Sequence, residues 1–514
     1  MNSKNQESRI KNQEVRKQIA IIPDSCLLIL DSSRGDILLS VLVFSAIAVT
    51  IIIGLVNWGA IMLKEIRNVT QREQAFQIAE AGVDYYQWHL ATAPNDYLDG
   101  TTTPAPYVHK FYDKDGNLLG NFSLTITPPI TGSTIVKIKS VGTLATSTVS
   151  RTVQESLAIP SLARFAAIAN DFMYFGSGTT VYGPVQSNYG IHFNGFAQNL
   201  ISSAVATYTD PDTGLKEWGI FTTSGVVDPQ PPTPVNSRPD VFAAGRQFPV
   251  PSFPFASLAG NLNTLWTAAN SGGGKEWTAS GALGYHIAFK VVGGVTKYDI
   301  YKVNSLVASP SSNCTNSQTQ SINQTGWGTW SINTQTIFQS DQLIPTNDII
   351  FVDDNVWVDG TINNARITLV AGVIGASSNY PSITINNSLL YTNTNGVDVI
   401  GLVSQGNVNV GLVSLDDLTI DAALVAENGR VGRYYYNTDC SIGHGGSAVN
   451  YYTRNSLSLL GMIASNVRYG FAYSNGTGYA IRNINYDGNL LYGPPPLFPS
   501  ATTQYQVISW QQLQ

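Results

Sequence analysis

The sequence predicts a mainly β protein with one long N-terminal α-helix, and three observations carry that expectation. Residues 37–63 carry no formal charge. The apolar run then passes directly into a stretch where apolar residues recur every three or four positions. Beyond residue 166 the texture changes to strand-forming runs of three to five residues, punctuated by Gly, Asn and Ser.

The helix is the best-defined element. An uncharged run of about 27 residues is long enough to cross a bilayer with some tilt, with Ile37, Ile52 and Leu63 at its start, middle and end. Ile66, Val69, Phe76, Ala79, Val83, Tyr86 and Leu90 then repeat at helical spacing, which marks one face for packing. Pro94 ends the element, because its ring and missing N–H disfavour continuation. Residues 1–35 therefore read as a leader or cytoplasmic segment, and residues 36–94 as a transmembrane and amphipathic helix. Basic residues stand on both sides of the span, so their balance does not orient it. The bulk of the chain places the C-terminal region outside a cytoplasmic (inner) membrane crossed once.

Arg34-Gly35 before an apolar helix resembles the class III signal of type IV pilin-like proteins, which is cut after the glycine. Gln77-Ile78-Ala79-Glu80-Ala81-Gly82-Val83 is similar to a stretch of PilX-type pilus-assembly proteins. The close resemblance covers roughly residues 34–90, with a weaker echo at Tyr505–Trp510. It implies cleavage between Gly35 and Asp36, a family motif at Ala79, Glu80, Ala81 and Gly82, and partners among other pilin-like subunits through the helix. Pilins carry a glutamate five residues after the cut, where this chain has Ser40. The resemblance therefore implies a minor or pilus-associated subunit rather than a major one. An uncut signal anchor is the alternative.

Residues 95–160 read as a pilin-like β meander, with turns at Asp115-Gly116, Pro128-Pro129 and Gly142. Asp113–Asn117 has alternating oxygen donors, but its glycine is misplaced for a calcium loop, so a hairpin turn is expected. Short strands over 161–204 and again over 346–514 suggest a parallel β-helix or β-solenoid, with a β-sandwich as the alternative. Residues 205–345, with a Pro-rich linker at 226–255, read as an insertion between early and late coils of one solenoid.

Only 12% of residues are charged, the net charge is −6 and no lysine follows Lys302. A basic phosphate-gripping surface is absent, so nucleic acid is not an expected partner. Five histidines without metal-ligand spacing give no metal or cofactor expectation. Cys26 precedes the cut, which leaves Cys314 and Cys440 as an even pair, either bridged or as two free thiols. Cys440 and His444 are close enough in sequence for a nucleophile–base pair, though a Gly-rich loop explains them better. Asp353, Asp354, Asp359, Asp416, Asp417 and Asp421 are the carboxylates from which a polysaccharide-active site could be built, yet turn acids are ordinary at strand starts. Tyr434–Tyr436 and Tyr451-Tyr452 offer aromatic faces for sugar stacking. The leading expectation is a non-enzymatic, membrane-anchored, surface-exposed pilus-associated subunit. A glycan-binding adhesin and, further back, a polysaccharide-active enzyme are the alternatives.

Overall fold

The computed structural model describes residues 36–130, 132–255, 261–310, 314, 328–375, 379–444, 447–498 and 504–513. It comprises two units, residues 1–73 and 74–514. The fold class is mainly β with one long N-terminal helix, α1 (Asp36–Thr92), as the sequence predicts. Gly35, on the amino side of the expected cut, lies outside the described residues.

In the first unit the apolar side chains of α1 face outward. Ile37, Ile52 and Leu63 are 74%, 57% and 59% exposed, and none of the described residues covers them. An 18-residue window with a mean hydropathy of 2.8 lies wholly unburied. Water around such a surface is costly at about 25 cal/mol per Å². Among the described residues this is one helix long and apolar enough to cross a membrane.

The second unit begins with the remainder of α1 and an antiparallel sheet. Strands β1 (Tyr107–Tyr112), β2 (Leu118–Thr127), β3 (Val136–Leu144) and β4 (Ser150–Ala158) follow one another as a meander. Asp113 makes the first hairpin tight: its Oδ1 accepts the Asp115 and Asn117 amides at 2.9 and 2.8 Å. A fifth strand comes from the far end of the chain. Gln506–Leu513 pairs antiparallel with β4, so the C-terminal tail completes this sheet. Gly142, expected in a turn, lies inside β3 for a packing reason given below.

Between β4 and that fifth strand the described residues build mainly a stack of short parallel strands, with antiparallel hairpins added to it. One column runs through Ile350, Leu369, Leu402, Leu424, Ile463, Ala167, Val185 and Ile201, each in register with the next. A second runs through Leu389, Ile420, Leu459, Ile484, Val181 and Ala197. All of these are at most 1% exposed and belong to one continuous core. Runs buried on a solenoid interior need only alternate inward apolar residues, which is why three-residue strands suffice.

The order of rungs differs from the order of sequence. The stack starts at Lys275–Trp277, climbs to Thr453–Ser465, and continues at Ala167–Ala169, which pairs with Ile463–Ser465. It then ends at Arg246–Gln247. The 205–345 block is therefore not an insertion between coils. It carries rungs at both ends of the stack, including Lys275–Trp277 and the hairpin strands Tyr285–Val292 and Val295–Leu306 turning at Gly293-Gly294. A periodicity reading missed this because the link between the two ends, 248–274, includes a Pro-rich stretch and a helix at Asn261–Asn270.

The solenoid-like region enters and leaves the head at one place. Ser161 donates its amide to Leu491 O at 3.0 Å and its hydroxyl to Leu490 O at 2.8 Å, while the Thr134 amide bonds Tyr492 O at 3.0 Å. The Arg366 guanidinium reaches Gly132 O at 3.1 Å and Gly493 O at 2.6 Å, tying a rung to the β2–β3 loop.

Candidate functional site

The helix–sheet unit is the site that the family-like motif builds. Ala75, Ile78, Ala79, Val83, Tyr86 and Leu90 are at most 2% exposed and repeat at three- or four-residue intervals. Ile78, Ala79, Val83, Tyr86 and Leu90 meet Phe122, Leu124, Ile138, Val153 and Leu157 from the sheet in one core. The motif divides by face: Ala79 is buried and Glu80 and Ala81 are half-buried, while Gly82 lies against the sheet. A Cβ on Gly82 would meet the Phe122 ring at 2.9 Å and overlap Ser140 Oγ. A Cβ on Gly142 would overlap the backbone of Ala75 and Ala79. Small residues on both elements thus bring helix and strand backbones together, and β3 runs through Gly142 because a side chain there has no room.

The C-terminal strand closes this unit. Trp510 packs edge-on against Phe76 with ring centroids 6.1 Å apart. Tyr505 donates to Pro94 O at 3.0 Å, just past the end of the helix. Asp96 then fixes the following loop, accepting from the Leu98 amide at 2.9 Å and the Gly100 amide at 2.7 Å, with His89 Nε2 3.0 Å away. These backbone bonds, ahead of the histidine, hold the Asp96 carboxyl below the usual carboxylate range.

Sequence reasoning missed Glu155. It lies on β4 at 5% exposure, and its Oε1 has no hydrogen-bond partner among the described residues. Burial first, and the nearby Asp84 carboxylate second, push its carboxyl up to about 7. Burial alone pushes Glu427, at the end of the strand Asp417–Ala426, up to about 8. Both groups hold their proton more tightly folded than unfolded, so the stability they contribute is complete below pH 4.5 and is lost as pH rises through 7 and 8. Glu155→Gln is expected to remove about 3 kcal/mol of the loss between pH 5 and 8. Urea midpoints measured across that range are the check, and an unchanged slope for the variant would contradict it.

The other candidates disperse. Cys314 and Cys440 are joined by a disulfide, in a buried cluster with Leu412, Tyr434 and Tyr436. A bonded Cys440 is no nucleophile, and the side chain of His444 is outside the described residues. The bridge spans 126 residues, for which chain entropy gives about 5 kcal/mol of stabilisation. Cys314→Ser/Cys440→Ser is expected to lower the melting temperature by several degrees, read by calorimetry with and without reductant. Tyr434 and Tyr436 are 3% and 0% exposed, and Tyr436 donates to Gly328 O and Thr329 O at 3.2 Å. Their rings are core, not sugar platforms, because each aromatic buries more by packing inward.

The six aspartates do not converge on one centre. Asp354 accepts from the Ser280 amide and hydroxyl at 2.9 and 2.6 Å. Asp416 pairs with Arg454 at 3.0 Å, and Asp417 accepts from Asn455 at 2.7 Å. Asp421 accepts the Tyr391 amide at 2.9 Å, with its carboxyl raised by burial. Burial and then Glu276 push Asp353 up to about 6, and Asp359 sits 3.2 Å from His286. Most of these are turn and rung caps.

No family model matches the chain, and no curated protein does either. Among solved structures it is similar to the competence-associated pilin ComZ from Thermus thermophilus. The identity is 15% and the TM-score 0.32, over 86% of this chain and 98% of that one.

Proposed function

We propose that the chain is a membrane-anchored, pilin-like structural subunit of the PilX-type class, which carries a large solenoid-like domain inserted between the fourth and fifth strands of its head sheet. One observation carries this reading: α1 is apolar and wholly uncovered over its first part, yet buried on an antiparallel sheet through the Ala79–Gly82 motif over its second. A surface of that kind needs lipid, or the helices of other subunits, as its partner. The Arg34-Gly35 signal supports processing before assembly, with Asp36 as the first mature residue. The inserted domain then serves as a displayed surface module rather than a catalytic one, in line with carboxylates that are spent on capping. The N-terminal residue of the protein recovered from membranes tests the reading: Asp36 supports it, and Met1 sinks the processing half. Crosslinking between cysteines placed at Val49 and Val56 of neighbouring subunits tests the assembly half, since a helix surrounded only by lipid gives no crosslinked ladder.

A further inference from the structure

On one lateral strip of the solenoid-like stack, four consecutive rungs place His286, Trp357, Thr384 and Asn409 in register. Their neighbours Ile287, Val356, Ile383 and Val408 belong to the core, so the strip points away from it. Buried polar atoms without partners gather there. Among the described residues, Thr384, 1% exposed, has no hydrogen bond at its Oγ1, both Asn409 side-chain atoms lack one, and His286 Nε2 faces Asp359 without proper hydrogen-bond geometry. An unpaired buried polar group costs about 1–3 kcal/mol, so a strip of them calls for an occupant.

Thr384 and His286 open into a pocket of about 380 Å³, lined also by Asp359, Asn387, Gln335 and Ser331. The Asp359 carboxylate in it already has partners within the protein. Asp359 Oδ2 lies 3.2 Å from His286 Nε2 and accepts from Asn387 Nδ2 at 2.9 Å, while His286 Nδ1 meets Gln335 Oε1 at 2.9 Å. What remains is the Thr384 hydroxyl and the side-chain amides of Asn387 and Gln335, able both to donate and to accept. An anionic ligand would meet the Asp359 carboxylate at close range in a low-dielectric wall. The volume falls within the range of small-molecule sites, where a few converging polar groups fix orientation.

We infer that this pocket binds one ring of an uncharged, polyhydroxylated ligand, a neutral sugar. Adjacent hydroxyls supply donors and acceptors to Thr384 Oγ1 and to the Asn387 and Gln335 amides at once, and no counter-charge is needed. The site adjoins the tyrosine cluster around the disulfide through Val413 but uses none of its tyrosines, and it does not depend on the pilin-like role of the helix.

Saturation-transfer NMR on the full chain in detergent tests it, with glucose, galactose, mannose, N-acetylglucosamine and N-acetylgalactosamine as probes and glucuronic acid as the charged comparator. At least one neutral sugar is expected to give a saturable signal that glucuronic acid does not match. Thr384→Val keeps the β-branched shape but deletes the hydroxyl, and is expected to weaken that binding about tenfold. Thr384→Ser restores the hydroxyl and is expected to restore the binding, with both variants melting within a few degrees of the parent. Absence of any saturable neutral sugar, equal binding by Thr384→Val, or preference for glucuronic acid would each overturn the assignment.

Discussion

Ile52→Arg is expected to move the protein out of the membrane fraction. Ile52 is 57% exposed and stands near the middle of the uncharged run, with no partner among the described residues to shield a charge. A guanidinium near mid-bilayer costs about 3 kcal/mol on insertion scales, or roughly a hundredfold in partition. Leu63→Arg, at the end of the run and beside Lys64, is expected to lose far less because its side chain can reach the interface. The comparison separates a spanning helix from a merely sticky one. Carbonate-washed membranes probed for the intact chain give the readout. Equal recovery of Ile52→Arg and the parent would remove the span and the anchored subunit with it.

Gly142→Val is expected to unfasten α1 from the head sheet. The added Cβ falls on the backbone of Ala75 and Ala79, and backbone cannot rotate away as a side chain tip does. Overpacking of this kind costs about 3 kcal/mol or more when the neighbours cannot yield. Gly82→Ala is expected to be milder, since the Ser140 Oγ that it overlaps sits on a small side chain, although the Phe122 ring at 2.9 Å must also shift. Gly272→Ala, with no atom of the described residues within 4 Å of the new Cβ, serves as the neutral control. Hydrogen exchange on β2 and β3, together with the Trp510 emission reporting its contact with Phe76, reads the effect. Gly142→Val with parent-like protection would mean that the helix does not dock as described.

Each of these variants probes a different link between sequence and role. Ile52 tests a property that is written locally, whereas Gly142 tests a contact that no local pattern announces. The apolar run and the spacing of Ala79, Val83, Tyr86 and Leu90 were legible because helical periodicity is set by 3.6 residues per turn, whatever lies on the other side. The brevity of the strands beyond residue 166 was legible for a similar reason, as Gly and Asn punctuate runs too short for an ordinary sheet. By themselves the residues therefore determined a mainly β chain with one long N-terminal helix and an amphipathic stretch ready to pack.

Only the tertiary structure decided which rung follows which. Ile463 pairs with Ala167 and Leu459 with Ile484, and nothing in those short apolar segments prefers one neighbour over another of the same shape. The same holds for Gln506–Leu513 against β4 and for the bond between Cys314 and Cys440, whose Cα atoms come to 4.7 Å across 126 residues of sequence. Such pairings are chosen by the sum of buried side chains over the whole stack and by the loop entropy needed to bring the ends together. Both are properties of the folded chain rather than of any window within it. Local periodicity fixes the elements, and the non-local burial they share fixes their order.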